Sequence, residues 1–453
     1  MVNSLPWELV PFESLLLEPL RNGIYKKKEF HGRGCKIVNM GELFSYPRLN
    51  SSIDMNRVEL TEKEKNKSLL LSGDLIFARR SLTAEGAGKC SLIRYVNEDT
   101  TFESSIIRAR LEPKKADPEF YYYLFNSPVG KWLLGTILRQ TAVSGITGGD
   151  LAKLVVPKPS LAIQKIIAQH CRSLDDKTEL NNQINQTLEQ MAQTLFKSWF
   201  VDFDPVKAKM NGEQPKGMDA ITASLFPEKL IESELGLIPE GWEVGTIDTH
   251  TSMIIDHRGK TPKKLGSDWV EEGYPAISAK NIKSKKIVRP DTIRFIDEVT
   301  YKKWMKEPLI KGDILMTSEA PMGELYFFDG SQDFCLSQRL YGLRANIDIC
   351  SPEFLFNWLQ TTTAKSDMEG RASGSTVLGI KQVELRKVKI LTPSRELLEK
   401  YNSVARNLVD MMGKNNAQSA TLEDLRDTLL PKLLSGEIDL ENLPVEQAKA
   451  LAE

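Results

Sequence analysis

The sequence predicts a mixed α/β protein in which two α/β domains, related by a pseudo-twofold axis, are joined by two long antiparallel helices that form a coiled coil. Three observations predict this fold: a length of 453 residues, an internal repeat, and two long stretches with a seven-residue apolar period. A chain of this length exceeds the roughly 250 to 300 residues at which a single core stops growing. At least two domains are therefore expected, and the repeat indicates where they divide.

The repeat is visible as short segments that recur at a nearly constant distance. The segment TLEQMAQTLF, which starts at Thr187, recurs as TLEDLRDTLL from Thr421, 234 positions later. DPEF (117–120) and SPEF (351–354) keep the same offset, whereas LLLSGDLIF (69–77) and PLIKGDILM (308–316) are 239 positions apart. Small changes of offset are what loop insertions produce, so the chain is predicted to contain two copies of one unit.

The repeat predicts six segments along the chain. A connector rich in Pro, Gly and charged residues separates the first long helix from the second domain. The predicted segments are a first α/β domain (1–160), a first long spacer helix (161–202), the connector (203–240), a second α/β domain (241–394), a second long spacer helix (395–435) and an acidic C-terminal tail (436–453).

Each copy has the same order of predicted elements. A Gly-Asp turn precedes a short apolar run, DLIFA in the first copy and DILMT in the second, which is typical of a buried strand. Asp117 and Ser351 then stand where a helix N-cap is expected, each followed by Pro and Glu. Polar, glycine-containing stretches follow, and LVVPKPS and VKILTPS predict a last strand that ends at proline.

The two long helices carry the clearest periodic signal. Residues at heptad position a are Ile167, Leu174, Asn181, Leu188 and Leu195 in the first helix, and Tyr401, Leu408, Asn415, Leu422 and Leu429 in the second. Position d includes Ile184, Met191, Val404, Met411 and Leu425. If the helices pair antiparallel, Asn181 and Asn415 meet near the centre and fix the register by hydrogen bonding.

One face of the helices is richer in apolar residues than a two-helix seam needs. The docking of a third partner's helices and simple mutual packing are both open explanations of this face. Its residues are Leu188, Met191, Leu195, Trp199, Leu422, Leu425 and Leu429.

Composition indicates a globular protein without a membrane segment. Hydrophobic residues make up 41% and charged residues 27% of the chain, and no apolar run approaches the roughly 18 residues of a membrane span. The N-terminal residues lack the pattern of a secretory signal, so the cytoplasm is the expected location. The five cysteines are scattered and never form CxxC, which predicts reduced, packed thiols.

Charge is unevenly distributed although the net charge is only −1. Residues 21–50 contain seven Lys or Arg against two acids, and residues 257–289 contain nine against three, whereas 423–453 is acidic. One basic segment is usually a solvated surface. Finding one in each copy favours two basic faces that bind a polyanion.

Catalytic motifs are missing from the sequence. The four histidines have no metal-binding spacing, and Thr83 stands where a phosphate-binding GxxxxGK[ST] loop requires glycine. Neither an adenine methylation motif nor a glycine-rich loop for its methyl donor is present. These absences favour a protein that reads a target over an enzyme.

The ends of the two helices carry the most specific signal. QTLFKSWFVDFDP (193–205) and LRDTLLPKLLSGEIDL (425–440), together with the repeat, resemble the specificity subunit of type I restriction-modification enzymes over essentially the whole chain. The resemblance implies a non-catalytic DNA-binding subunit in which each α/β domain is a target-recognition domain. Each domain would read one half of an asymmetric bipartite site in double-stranded DNA, and the helices would set the spacing.

The resemblance also implies partners and cofactors. Two modification subunits would dock on the helices and carry S-adenosylmethionine chemistry on adenine N6. Restriction subunits that use ATP and Mg²⁺ would join for cleavage, and no cofactor would bind this chain directly. The alternative is a helical-hairpin scaffold that carries two protein-interaction domains without DNA binding, but it leaves the two basic segments unexplained.

Candidate DNA contacts follow from the resemblance and from side-chain chemistry, because Arg is the commonest reader of guanine edges and Asn or Gln of adenine. Base-contact candidates are Arg79, Arg80, Arg139 and Gln140 in the first domain and Asn281, Gln338, Arg339 and Arg371 in the second, with Thr317 and Ser318 at the matching strand tip. Phosphate-contact candidates are Lys26, Lys27, Lys28, Lys260, Lys263, Lys283 and Lys285, with Arg33 and Arg258 in the same basic segments.

Overall fold

A computed structural model describes residues 6–81, 86–139, 144–374 and 377–438. The described chain is mixed α/β, as predicted, and divides into two compact units. The first unit comprises Met1–Asn181 with Ala417–Glu453, and the second comprises Asn182–Asn416. Each unit therefore holds one α/β domain together with part of both long helices. The linear domain boundaries given above stay a prediction.

The first unit contains the elements up to and including the beginning of the first long helix. In chain order they are β1 (Glu8–Pro11), β2 (Arg21–Asn22), β3 (His31–Val38), α1 (Met40–Ser45), β4 (Arg48–Asn50), β5 (Arg57–Val58), α2 (Glu62–Ser68), β6 (Leu75–Ala78), β7 (Arg80–Ser81), β8 (Cys90–Tyr95), β9 (Thr100–Phe102), β10 (Ile106–Ala109), α3 (Pro118–Asn126), α4 (Pro128–Thr136), β11 (Ser144–Gly145), α5 (Gly148–Lys153), β12 (Val155–Lys158) and α6 (Leu161–Phe200).

The second unit contains the elements that follow α6, and the chain's second long helix begins in it. In chain order they are α7 (Asp204–Met210), α8 (Ala220–Ser224), β13 (Leu230–Ser233), β14 (Gly236–Pro239), β15 (Glu243–Thr246), α9 (Ile247–His250), β16 (Thr251–Asp256), β17 (Tyr274–Ile277), β18 (Ile282–Lys283), β19 (Lys286–Ile287), β20 (Arg294–Ile296), α10 (Glu298–Trp304), β21 (Ile314–Thr317), β22 (Leu325–Phe327), β23 (Cys335–Leu336), β24 (Leu340–Ala345), α11 (Pro352–Trp358), α12 (Thr362–Arg371), α13 (Gln382–Leu385), β25 (Lys389–Thr392) and α14 (Arg395–Ser435).

The sheets repeat between the units. In the first unit the main sheet has the order β2-β10-β6-β8-β4, and in the second it has the order β16-β24-β21-β22. Strands β6 and β21 are the runs that follow the two Gly-Asp turns, and every residue in both is buried. The first strand of each domain pairs antiparallel with its last, β1 with β12 and β15 with β25. The predicted repeat is therefore confirmed at the level of strand pairing.

Helix starts are also confirmed. The Asp117 carboxylate accepts a hydrogen bond from the Phe120 amide at 2.9 Å, and the Ser351 hydroxyl accepts one from the Phe354 amide at 3.1 Å. These bonds satisfy amide groups that a helix N-terminus leaves without an intrahelical partner. The predicted helix after Asp117 is two helices, because Ser127-Pro128 ends α3 and starts α4.

The helix-end motifs are core segments. Leu430, Leu433 and Leu434 near the end of α14 pack into the core of the first unit. At positions 234 residues earlier, Phe196 and Phe200 near the end of α6 pack into the core of the second unit. Each domain thus closes its core with the last turns of one long helix, which explains why the two motifs resemble each other.

The long helices run antiparallel within each unit. In the first unit Asn181 donates to the Gln418 side chain at 2.9 Å, while Arg426 donates to Asp175 at 2.6 Å. In the second unit the Asn185 amide donates to Asn416 at 2.8 Å and accepts from Asn415 at 2.8 Å. The lengths of α6 and α14, 40 and 41 residues, agree with prediction.

The predicted phase of the heptad is wrong for one of its two rows. Position a faces inward, but position d does not: Met191, Met411 and Leu425 are 55%, 49% and 43% exposed. The buried row lies one residue later, at Ala405 and Ser419. This row mixes Trp199 and Leu433 with small and polar residues such as Asn185, Ala405 and Ser419, so a search for apolar periodicity selects the neighbouring row instead.

The connector has more structure than its composition predicted. It contains α7, α8 and the antiparallel hairpin β13-β14. Val206, Phe226 and Ile238 from this segment are buried in the core of the second unit. The connector is therefore an integral part of that unit.

Candidate nucleic-acid interface

A buried ion pair supports the strand that leads to the candidate site in each domain. Asp74 is 1% exposed and accepts two hydrogen bonds from Arg110, both at 2.7 Å. Asp313 in the second domain is equally buried and accepts two from Arg344, at 2.9 and 2.8 Å. The glycine before each aspartate has a φ near +90°, which only glycine adopts without strain. The Gly-Asp repeat in the sequence thus encodes a fixed strand start.

Beyond the C-terminal end of this strand, which is β6 in the first domain and β21 in the second, loop segments are joined by backbone hydrogen bonds. We call these loop residues the loop frame. In the first domain the loop frame is Arg79-Arg80, Ser105, Arg139 and Gly145-Ile146. The Arg79 amide donates to the Ser105 carbonyl at 2.8 Å, and the Ile146 amide donates to the Arg79 carbonyl at 3.0 Å. Arg139 and Gly145 exchange two backbone hydrogen bonds. The fold therefore brings together Arg79, Arg80 and Arg139, three of the predicted base-contact residues.

The arginines of the loop frame differ in their partners. The Nε and Nη2 groups of Arg139 contact the Asp150 carboxylate at 2.9 and 2.7 Å, which orients the guanidinium. Within the described ranges, neither Arg79 nor Arg80 has a carboxylate at ion-pair distance. Gln140, the fourth predicted contact, lies outside the described residues.

The second domain has an equivalent loop frame: Ser318-Glu319, Arg339, Ser373 and Gly379-Ile380. The Ser318 amide donates to the Arg339 carbonyl at 2.9 Å, and the Ile380 amide donates to the Ser318 carbonyl at 3.0 Å. Ser373 and Gly379 exchange two backbone hydrogen bonds. The exposed side chains are a carboxylate and a guanidinium, because Glu319 forms an ion pair with Arg339 at 2.8 Å.

Three predicted base-contact residues of the second domain are buried. Asn281 is fully buried, and its amide group donates to Thr292 at 3.0 Å and accepts from Ser278 at 2.8 Å. Thr317 and Ser318 are 0% and 2% exposed. The prediction that these side chains contact DNA is therefore corrected, because burial removes all three from the surface.

Arg371 is partly withdrawn from solvent. Its guanidinium lies 2.8 Å from Asp367 and 3.9 Å from Glu384. Gln338, in contrast, is exposed. Of these two predicted contacts, only Gln338 has its side chain fully available.

The first basic segment divides into bound and available cations. Lys26 pairs with Glu64 at 2.8 Å, and this contact, with the Thr61 cap, lowers the pKa of Glu64 to about 2. This ion pair already engages the Lys26 ammonium, and its phosphate contact stays a prediction. Arg33 pairs with Glu59 at the surface, whereas Lys27 and Lys28 are exposed.

The second basic segment divides in the same way. The Lys260 ammonium donates to the Trp304 carbonyl at 3.2 Å, and Lys285 forms an ion pair with Glu189 of α6. Arg258 is held by Asp256 and lies 4.5 Å from the centre of the Tyr341 ring. Lys263 and Lys283 are exposed. The exposed lysines remain candidates, whereas Lys260 and Lys285 already serve internal contacts.

The predicted helix-face residues also separate by exposure. Leu188 and Trp199 are buried, so mutual packing within the second unit accounts for them. Leu195, Leu422 and Leu429 are half-buried. Met191 and Leu425 are the members of the predicted docking face with strongly exposed apolar side chains.

Sequence reasoning missed an exposed tyrosine and a half-buried tryptophan that stacks with an arginine. Tyr25, directly before the three lysines, is 81% exposed. In the second domain the Arg294 guanidinium lies 3.8 Å from the centre of the Trp269 ring. Tyr25 could have been found from the sequence, because a tyrosine beside three lysines is a visible pattern. The contact between Arg294 and Trp269 joins residues 25 positions apart and has no local signal in the sequence.

Metal-ligating residue types do not cluster in the described ranges. The described residues contain no group of three or more His, Cys, Asp or Glu side chains that could hold a metal ion. Burial lowers the pKa of His250 and His257, and it raises the pKa of Cys335 and Cys350 to about 12. All five thiols are free and buried, which confirms the prediction of packed cysteines. None of the helices within the described ranges combines the length and apolarity of a membrane span.

Known proteins share both the sequence pattern and the fold. The family model for the type I restriction modification DNA specificity domain matches residues 22–190 and again residues 239–397. The type I restriction enzyme HindI specificity subunit of Haemophilus influenzae is 26% identical over 89% of this chain and 94% of its own length. The MjaIX specificity subunit of Methanocaldococcus jannaschii is 25% identical over 72% and 70%, respectively.

A solved structure has the same fold. It is the S subunit of a type I restriction-modification system from M. genitalium, with 15% identity, a TM-score of 0.50, and coverage of 95% of this chain and 97% of that chain. The likeness extends over both domains and both long helices. With the family model matched once in each half of the sequence, this protein belongs to the type I restriction-modification DNA specificity family.

Proposed function

We propose that this chain is the DNA-reading subunit of a type I restriction-modification complex and that each domain reads one half of a bipartite, asymmetric DNA site. The observation that carries the proposal is the loop frame. It has the same backbone hydrogen bonds in both domains but different side chains at its tip. Two copies of one fold with different contact chemistry read two different sequences, so the target is not palindromic.

The long helices set the distance between the half-sites in this proposal. Each is about 60 Å long at 1.5 Å per residue. A helix transmits a fixed length better than a flexible linker does. The number of unread base pairs is therefore a property of helix length.

Partner subunits supply the chemistry. We propose that two modification subunits dock on exposed apolar side chains of the long helices, Leu425 in the first unit and Met191 in the second. S-adenosylmethionine then binds to those subunits, and ATP with Mg²⁺ to restriction subunits. The complex acts in the cytoplasm, where it meets the DNA. The chain itself contributes recognition and spacing.

The alternative, a protein-interaction scaffold without DNA binding, is disfavoured by membership of a DNA specificity family. It also leaves Lys27, Lys28, Lys263 and Lys283 exposed in two basic segments without a role.

Single-molecule sequencing of N6-methyladenine tests the proposal. Genomic DNA of the native host is compared with DNA from a strain that lacks only this gene. We expect one bipartite, asymmetric motif to lose methylation in the deletion strain, and re-expression of the chain to restore it. Unchanged methylation at every motif, or loss at a palindrome, would contradict the proposal.

A further inference from the structure

We infer that the loop frame selects bases in both domains and that its side chains give the two half-sites opposite chemistry: guanine contacts in the half read by the first domain, and a cytosine contact through Glu319 in the other half. This inference rests on the proposed function and adds which residues choose the bases and which base groups they contact.

The backbone of the loop frame is equivalent in the two domains. Residues 79, 80 and 105 correspond to 318, 319 and 339, and residues 139, 145 and 146 correspond to 373, 379 and 380. The matching hydrogen bonds differ in length by no more than 0.1 Å, as in the 2.8 Å bond from Arg79 to Ser105 and the 2.9 Å bond from Ser318 to Arg339. Both domains therefore hold the same four positions on the same scaffold, with the Ser318 side chain buried in the second domain.

A close glycine contact keeps that scaffold fixed. A Cβ atom on Gly145 would lie 2.8 Å from the Arg79 carbonyl oxygen, and one on Gly379 would lie 3.1 Å from the Ser318 carbonyl oxygen. Such distances are too short for a side chain to fit without displacement. Glycine at both positions lets the two loop segments approach each other, which holds the neighbouring side chains in place.

The four positions differ in charge between the two domains. Positions 79, 80, 105 and 139 of the first domain hold Arg, Arg, Ser and Arg, and the corresponding positions of the second hold Ser, Glu, Arg and Ser. The first loop frame thus presents three guanidinium groups, of which Asp150 partly neutralises one. The second presents one ion pair with no net charge. A contact made only to phosphates would give no reason for a carboxylate at position 319, where the first domain has Arg80.

The geometry of Arg139 is suited to reading guanine. Asp150 occupies the Nε and Nη2 side of the guanidinium and fixes its direction. The end of the guanidinium keeps one N–H of Nη1 and the outer N–H of Nη2, which point in the same direction, and Arg139 is an exposed residue. Two parallel donors match O6 and N7 of guanine in the major groove.

The geometry of Glu319 is suited to cytosine. Its carboxylate contacts Arg339 through Oε1 and is 39% exposed in the ion pair. A carboxylate accepts a hydrogen bond from cytosine N4 but repels the acceptor atoms of guanine. Arg339 beside it reduces repulsion between Glu319 and the DNA phosphates.

Charge-conserving and shape-conserving variants test the inference. Arg80→Lys and Arg139→Lys keep the positive charge but remove the paired donors, whereas Glu319→Gln removes the charge and keeps the shape. Lys131→Ala and Glu369→Gln, at exposed positions outside the loop frame, are matched controls. Each variant is co-expressed with its modification subunits, and methylated motifs are mapped. Thermal unfolding shows whether each variant is folded.

The expected result is a change in one half-site only. The arginine variants should raise methylation of sites with a non-guanine base at one or two positions of one half by about tenfold or more. Glu319→Gln should relax a cytosine position in the other half, and the controls should leave both halves unchanged. If a variant abolishes methylation, selection of bound sequences from a randomised half-site library provides the same comparison.

Other outcomes overturn the inference. Equal weakening of all sites, with both half-sites unaltered, assigns these residues to phosphate contact. A change in the same half-site for all three variants contradicts the assignment of one half to each domain. If the unmutated chain directs methylation to no bipartite site, the proposed function itself fails, and that result differs from an unaltered motif in the variants.

Discussion

Asp313 and Asp74 are the residues whose substitution we expect to destabilise the fold most through charge alone. Each is almost fully buried against an arginine that donates two hydrogen bonds to it. Removing one partner of a buried ion pair leaves the other charge without compensation, which typically costs about 3 to 5 kcal/mol. Exposed ion pairs contribute about 0 to 1 kcal/mol.

We predict that Asp313→Asn lowers the free energy of unfolding of the second unit by about 3 kcal/mol. Urea unfolding followed by tryptophan fluorescence measures the change. Asp410→Asn is the control, because it removes only the exposed ion pair with Lys311 in the same unit. Equal effects of the two substitutions would show that burial of the Asp313 pair is unimportant.

Side-chain chemistry alone selected arginines that the fold brings together in the loop frame, but it also selected side chains that are buried or already paired. A lysine in a basic run is free only if no distant acid reaches it, and Glu64 and Glu189 reach Lys26 and Lys285. Asn281 has the right chemistry for adenine, but it caps a turn in the interior. Tertiary contacts of this kind leave no local pattern in the sequence.

At the scale of elements, the exposed row of the long helices is the surface we expect partner subunits to bind. Met191→Glu and Leu425→Glu place a charge on this row and should reduce co-purification of the modification subunit at least tenfold. Both side chains are exposed, so the chain's own unfolding midpoint should hardly change. Retention of the partner by both variants would argue against this surface.

A buried residue of the same helix is the matched control for that experiment. Leu188 is 7% exposed, so Leu188→Ala should cost about 2 to 5 kcal/mol of stability through the cavity it leaves. Its effect on partner binding should follow its effect on folding. Loss of binding without loss of stability at Leu188 would place the docking surface elsewhere.

Helix length gives a second prediction for these elements. Inserting one helical turn of about four residues, in register, adds about 6 Å. We expect the unread gap of the DNA site to lengthen by one or two base pairs, since base pairs stack about 3.4 Å apart. Methylation mapping of the insertion variant measures the gap, and an unchanged gap would show that the helices do not set it.

At the scale of the whole molecule, near-zero net charge conceals two basic segments of the sequence. We predict that DNA binding by the assembled complex weakens steeply between 50 and 200 mM salt, as expected when phosphates release counterions. Replacing Lys27 and Lys28 with Gln should reduce the salt slope by about 2 and weaken all sequences alike. Replacing Lys26 in the same way should alter stability more than the slope, because its ammonium is bound to Glu64. A salt slope that none of these substitutions changes would exclude this segment from the interface.

The sequence by itself determined the repeat, the mixed α/β class, the two long helices and the family. Each of these rests on local periodicity or on a motif that is recognisable within a short segment. Only the tertiary structure decided which row of the helices is buried, which cations are free, and that residues 79, 80, 105 and 139 form one loop frame. Small and polar side chains such as Asn181, Ala405 and Ser419 stand among the apolar residues of the helix seam, and acids far away in the sequence neutralise individual lysines. Both effects depend on which distant segments the fold brings into contact, and no spacing within the sequence encodes that information.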